Sequence, residues 1–444
     1  MAGFEDRYCN VSKHGNLNNS GCCYETLTGT NTNIRLNMSR LATITFFLLI
    51  STTALHAASP PDIWPAFRGS GDSISEAKQL PLKWSTTENI AWTIDPPGYG
   101  QSSPVIWKDK VFVTSVEGEN KDTLHLLCLD LGTGKTLWQK TFVGTQKVKT
   151  SDYVSKGAPT PVATADRVYA LFESGDLFAL DHAGIERWQR SLVKDNGAFT
   201  NNHGLGSSPV LAGEALLVLV AQDRASYLLA VDGMTGKDKW KAEHPLGASW
   251  SSPAVFTVDG RQMAIVSSSG TIAAFDAKTG DKLWDMSGLT GNTVASPTPT
   301  GGMVLVSSSD RASQAVVRLD AKKSSERVAW RSTGATSSFG SPLVYQEYGY
   351  SVNRDGLAFC FDPTTGKAIW DSKLPASCWA SPVGGAGRVY FFTQNGVCVV
   401  MKPGPEPEVL AENKLPVKGR VYGVAAVEGA FLIRTGKNLV KVGK

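Results

Sequence analysis

The sequence predicts an all-β chain folded as an eight-bladed β-propeller of four-stranded blades, closed by its N-terminal strand. Three observations carry that prediction. The phrase Asp-x-x-Thr-Gly-x-x-x-Trp recurs as Asp130 to Trp138, Asp232 to Trp240, Asp276 to Trp284 and Asp362 to Trp370, with degenerate copies from Asp181 to Trp188 and from Asp320 to Trp330. A hydroxyl-Pro phrase recurs at Pro104, Pro161, Pro209, Pro253, Pro297, Pro342 and Pro382, at intervals of 57, 48, 44, 44, 45 and 40 residues. Each proline is followed by alternating apolar stretches, such as Val111 to Ser115 and Val389 to Thr393, the pattern of half-buried strands. A fixed self-similarity of this length is the mark of a repeat architecture.

From the N-terminus, residues 1–37 read as an over-extended start. Residues 38–58 read as a signal peptide, because Met38 and Arg40 precede the apolar run Leu41 to Thr53 and small residues follow it. The run is too short to span a bilayer. Residues 59–88 form a lead-in containing Trp64 and Trp84, and residues 89–444 form the propeller. Seven repeats are complete. The eighth offers only three strands, around Val421, Phe431 and Leu439, and Asn89 to Trp92 supplies a Trp-bearing fourth strand with no Asp-Thr-Gly before it. Closing the ring this way removes exposed sheet edges.

Within each repeat the Asp-x-x-Thr-Gly phrase has the chemistry of a tight turn: an Asp side chain accepts backbone N–H groups and Gly supplies a positive φ. A carboxylate repeated six times reads as structural. Of the seven cysteines, Cys9, Cys22 and Cys23 precede the signal; Cys128, Cys360, Cys378 and Cys398 are expected to be free thiols. Cys128, Cys360 and Cys398 read as occupying the same place in their repeats, near the end of a strand before the turn, where side chains of successive blades point the same way and cannot face one another.

The repeats resemble those of the pyrroloquinoline-quinone (PQQ) propeller superfamily, and the opening Trp64-Pro-Ala-Phe-Arg-Gly69 resembles exported PQQ-like repeat proteins. The resemblance implies that each Trp docks a blade on its neighbour. Enzymatic members bind PQQ and calcium at the propeller axis and carry adjacent cysteines over the cofactor; here the adjacent pair, Cys22-Cys23, lies upstream of the signal. In blade number, length and export the chain also resembles the accessory lipoprotein of the outer-membrane β-barrel assembly machinery, although it has no cysteine at the cleavage region.

A net charge of +4 points away from nucleic acid. No zinc-protease motif, nucleophile elbow, phosphate loop or acidic calcium loop is present. These readings favour an exported, periplasmic propeller that binds a protein partner or small ligand at one face, with no catalytic residues, metal or cofactor and no membrane span in the mature chain. A PQQ-dependent oxidoreductase is the alternative. His125, His182, His203 and His244 are scattered; His125 and His182 read as structural, and His203 in a long loop is the histidine with functional potential.

Two long connections, Gln139 to Ala158 and Gln189 to Gly206, make that face asymmetric. The first carries Lys140, Lys147, Lys149 and Lys156, compatible both with a solvated loop and with an acidic partner. Three residues before each proline stand Gln101, Ala158, Gly206, Trp250, Val294, Phe339 and Trp379, with Tyr422 at the matching place in the last repeat. Trp250, Phe339, Trp379 and Tyr422 should form an aromatic crescent at the channel rim, where they either anchor a ligand or plug the channel by packing on one another.

Overall fold

The computed structural model describes residues 62–444 except 149–152, 154, 202, 224–225, 244–246, 290, 292, 310–312 and 333. The expected leader and signal peptide, with Cys9, Cys22 and Cys23, and the calls on Lys149 and His244 lie outside the described residues. The regular structure of the remainder is almost entirely strand, arranged as eight sheets around a central axis.

Blade 1 contains Val105–Trp107, Lys110–Glu117, Thr123–Asp130 and Thr136–Val143, ordered from the axis outward. Blades 2 to 7 repeat this order, their innermost strands being Val162–Ala163, Val210–Ala212, Ala254–Val258, Thr298–Thr300, Leu343–Tyr345 and Val383–Gly385. Blade 8 has Val421–Val427, Ala430–Thr435 and Leu439–Gly443, and its outer strand is Ile90–Ile94, which pairs antiparallel with Leu439–Gly443. The closure expected from the sequence is therefore present.

The repeat phrase accounts for the joints between blades. At the turn of blade 3, the Asp232 carboxylate accepts N–H from Met234 and Thr235 and the Thr235 hydroxyl. The following Gly236 has φ +74°, and a Cβ there would lie 2.7 Å from the Trp188 ring of blade 2. Glycine is thus needed both for its backbone conformation and for contact with the neighbouring indole. The Trp188 indole N–H donates to the Gly233 carbonyl of the same turn at 2.9 Å. Trp92, Trp138, Trp240, Trp330 and Trp370 donate in the same way to Leu131, His182, Ala277, Pro363 and Gly404 of the next blade. Apolar side chains of facing sheets fill the joints, as where Leu171, Leu177 and Leu192 of blade 2 pack with Leu216, Val218 and Leu229 of blade 3. Each such side chain contributes roughly 1.5–3 kcal/mol.

The hydroxyl before each proline forms a belt around the axis. Backbone N–H groups of Ser103, Thr160, Ser208, Ser252, Ser296 and Ser341 each donate to the hydroxyl of the equivalent residue one blade on, ending at Ser381, at 2.9–3.0 Å. The belt holds the starts of seven innermost strands at one level. Cys128, Cys360, Cys378 and Cys398 are buried free thiols, as expected. Cys128 and Cys360 oppose the Trp of their blades directly before the bulge, but Cys398 does not share that place as the sequence suggests: it stands two residues before its bulge, opposite Asn413.

The lead-in is woven into the ring. Ile63–Trp64 pairs antiparallel with the innermost strand of blade 1, and Ile74–Ser75 pairs parallel with that of blade 7. Between them the chain crosses the axis. Pro65 accepts the Ala163 N–H of blade 2, and the buried Arg68 guanidinium donates to the Pro297 and Pro342 carbonyls, the Thr298 hydroxyl and Ser73. Burial pulls Arg68 down to about 10, with Asp72 opposing. One short segment thus ties together inner strands from opposite sides of the propeller.

Candidate functional site at the channel mouth

The belt hydroxyls set the level of the inner strands, and the residues three positions before each proline stand just above them. All eight, from Gln101 and Ala158 to Trp379 and Tyr422, line one cavity of about 640 Å³. Its lining also includes Phe67 of the lead-in, which faces a smaller cavity of about 310 Å³ on the other side of the crossing segment. The lead-in therefore divides the channel into an upper chamber and a lower crevice.

Four of the eight rim residues are aromatic, and Trp250, Phe339, Trp379 and Tyr422 are all half-buried. Phe339 stacks on Trp379 with centroids 4.4 Å apart and planes 10° apart. Tyr422 meets Trp379 edge-on at 5.8 Å, and its hydroxyl shares a 2.9 Å hydrogen bond with Tyr99. Trp250 stands apart from this group. Its ring lies over Gly206, where a Cβ would come within 3.0 Å, and its N–H donates to the Gly204 carbonyl. The crescent thus packs partly on itself while keeping ring surface on the chamber.

The two long connections complete the ring on the side where the rim residues are small. His203 lies 5.5 Å from Trp250, and Tyr153 approaches both His203 and Trp379 at 6.4 Å. Tyr153 is 66% exposed, so it stands over the mouth. A buried pair anchors its loop: the Lys121 ammonium donates to the Ser155 carbonyl at 2.6 Å and lies 3.8 Å from the Glu173 carboxylate, which accepts the Gly157 N–H. Burial lowers Lys121 to about 8 and raises Glu173, each partly offset by the other's charge. Lys156 points its ammonium over Tyr99 at 5.4 Å.

The chamber's charge is one-sided. Arg354 and Arg420 line it together with His203, and among the described residues no Asp or Glu does. The Arg420 guanidinium lies 4.4 Å over Trp379 and 6.0 Å from Tyr422. Three polar side-chain atoms on the lining, Ser155 Oγ, Ser309 Oγ and His203 Nδ1, are buried without a hydrogen-bond partner. Buried polar atoms of this kind are ordinarily satisfied.

A calcium ion takes six to eight oxygen ligands, with carboxylates prominent among them. Among the described residues the chamber offers no carboxylate, and no group of three His, Cys, Asp or Glu could hold a metal. These residues do not fit the calcium-bound quinone that the superfamily resemblance raises. His125 is engaged by Thr141 and Glu117, and His182 packs against Phe112 and Trp107 while its carbonyl receives Trp138.

Sequence reasoning identified the rim but not Tyr153, Arg420 or the Phe67 floor. Tyr153 had one available signal, as an aromatic residue in the long basic connection on the same face. Arg420 sits two residues before the rim position of a blade that lacks the Ser-Pro phrase, and nothing in the lead-in sequence states where it crosses.

A family model described as outer membrane protein assembly factor BamB matches residues 80–243 and 224–413. A curated protein of the same description from Moranella endobia (strain PCIT) is 27% identical over 143 residues, covering 32% of this chain and 33% of its own length. The chain spans about a third of the length of that curated relative. Among solved structures, BamB from Moraxella catarrhalis aligns with a TM-score of 0.58 at 14% identity, over 80% of this chain and 99% of that one. A europium-containing methanol dehydrogenase aligns at 0.65 and 14% identity, over 86% and 91%. The quinohemoprotein alcohol dehydrogenase of Comamonas testosteroni aligns at 0.62 and 13%, over 87% and 82%. At such identities the structural likeness establishes the PQQ-like propeller fold and says nothing of activity.

Proposed function

The chain belongs to the family of the outer membrane protein assembly factor BamB, and from that premise we propose that it is an exported, periplasmic scaffold whose protein partner docks on the face carrying the channel mouth. The observation that carries this reading is the half-buried aromatic wall of Trp250, Phe339, Trp379 and Tyr422, with His203, around a chamber floored by the chain's own lead-in. Large rings at a partly open rim are poor neighbours for water and effective anchors for a partner side chain. Export is supported by the signal-like segment, and no helix among the described residues is long and apolar enough to cross a membrane. N-terminal sequencing of the native protein checks it; a chain retaining residues 1–37 would overturn the start at Met38.

Affinity capture from an envelope fraction, comparing wild type with the Trp250→Ala, Trp379→Ala double variant, tests the scaffold. We expect loss of the partner with a melting temperature changed by a few degrees at most, since truncation at partly exposed sites is usually tolerated. A destabilisation of about 3–5 kcal/mol, the scale of an emptied aromatic core site, would make the crescent core instead. The rival reading, a PQQ-dependent oxidoreductase, requires an absorbance change when PQQ and calcium are added to purified protein.

A further inference from the structure

Resting on that reading of the mouth, we propose that the chamber holds an acidic, aromatic peptide segment of the partner, with its carboxylate on Arg420 and its ring against the Trp250 and Trp379 wall. Three independent observations converge on this chemistry.

The first is charge. Arg420 lines the chamber, and among the described residues no Asp or Glu lines it. A cationic ligand would meet the like charge of Arg420 there.

The second is the state of Arg420. Its guanidinium lies 4.4 Å over the Trp379 ring and 6.0 Å from the Tyr422 ring, and it has neither a hydrogen bond nor an ion pair with any described residue. Stacking occupies the faces of the group, whereas its N–H donors lie in the plane and remain available for a carboxylate. The protein has fixed a donor fork in place without giving it an acceptor.

The third is the set of orphaned polar atoms. Ser155 and Ser309 are 5% and 7% exposed, and their hydroxyls, with His203 Nδ1, reach no partner. A purely apolar occupant would leave these groups unpaired as well as the arginine, which is costly in a buried setting. A peptide supplies backbone donors and acceptors for the hydroxyls, a carboxylate for the arginine and a flat ring for the aromatic wall. At about 640 Å³ the chamber falls within the range of sites that enclose a small ligand or a short peptide stretch.

The test uses the signal-processed protein and three tryptophan-free peptides, acetyl-Asp-Phe-Asp-amide, acetyl-Asp-Ala-Asp-amide and acetyl-Lys-Phe-Lys-amide, followed by intrinsic tryptophan fluorescence and calorimetry. Saturable binding is expected for Asp-Phe-Asp, with about tenfold weaker binding of Asp-Ala-Asp and none of Lys-Phe-Lys. Arg420→Gln should weaken Asp-Phe-Asp about tenfold, and Arg420→Lys should recover part of the loss, at an unchanged melting temperature. Raising salt should weaken binding to wild type, which preserves the test if Arg420→Gln fails to fold. Equal binding of Lys-Phe-Lys, or binding indifferent to both Arg420→Gln and salt, would overturn the proposal. If no peptide binds while the Trp250, Trp379 double variant still loses its captured partner, the scaffold reading stands and the acidic, aromatic segment is wrong.

Discussion

Two adjacent joints of the propeller solve the same packing problem with different chemistry. Between blades 5 and 6, Trp330 is 8% exposed, donates its N–H to the Pro363 carbonyl at 2.9 Å and lies on Gly366, where a Cβ would approach the ring to 2.5 Å. Between blades 4 and 5 the turn phrase is degenerate. The short helix Ser324–Arg327 replaces the glycine turn, and the Arg327 guanidinium lies 4.2 Å over the Trp284 ring while donating to the Arg318 and Ala321 carbonyls. Trp284 keeps its docking place, but its buried N–H has no partner. The indole's position is therefore set by the facing sheets, and the Asp-Thr-Gly turn adds a hydrogen bond and a close-fitting surface to it.

If so, the two tryptophans should differ in what they contribute. Trp330→Ala is expected to cost about 3–5 kcal/mol and Trp284→Ala roughly half as much, since the first empties a buried, hydrogen-bonded site and the second a half-buried one. Urea unfolding followed by far-UV circular dichroism measures both. Equal losses would show that the turn adds nothing to the joint.

The glycine in the turn can be isolated from its backbone conformation. Gly236 and Gly260 share φ +74°, yet a Cβ at Gly236 would meet the Trp188 ring at 2.7 Å and one at Gly260 would meet nothing within 4 Å. Gly260→Ala should cost about 1–2 kcal/mol for the left-handed conformation alone. Gly236→Ala should cost that and about 1–3 kcal/mol more for overpacking against the indole. Matching losses at the two sites would remove the glycine and tryptophan contact from the account of the joint.

The same contrast explains which parts of the molecule were legible in the sequence. What is repeated can be read: the Asp and Trp spacing, written six times, marks the blades, and the Trp92 strand lacking its own turn marks the closure. The rim positions followed because Trp250, Phe339 and Trp379 keep fixed spacing to a repeated proline. The belt is equally periodic, but its phrase marks only where strands begin, because a Ser before Pro does not announce that its hydroxyl bonds the next blade. What occurs once could not be read. Phe67 and Arg68 reach the axis through a path with no periodicity, Arg68 finding acceptors in blades 5 and 6 more than 200 residues away in sequence. Tyr153 meets Trp379 across the channel, a contact between a loop and a rim that no local pattern encodes. The mouth is a one-time feature built on a repeated frame, so its frame was legible and its chemistry only in part.

The smallest expected effect concerns the turn carboxylates. Asp130, Asp232 and Asp362 sit below the usual carboxylate range, chiefly because threonine hydroxyls, Thr133, Thr235 and Thr364 respectively, donate to them. The blade 5 copy has Lys323 where Thr133 and Thr235 stand. A carboxyl group whose folded value is depressed stabilises the fold fully above its unfolded value of about 3.9 and loses that contribution as pH falls through the lower folded value. Wild type should therefore lose this component below about pH 4. Removing the hydroxyls with Thr133→Val and Thr235→Val should lower stability at pH 7 by less than about 1 kcal/mol per site, because the turns lie near solvent. The deficit should shrink as the pH is taken from 5 to 3, since protonation abolishes in wild type what the substitutions have already removed. Urea midpoints of the two proteins that run parallel over that interval would mean that these hydroxyls hold the turn without responding to the carboxylate's charge, and the regular joints would then owe their advantage to glycine and tryptophan alone.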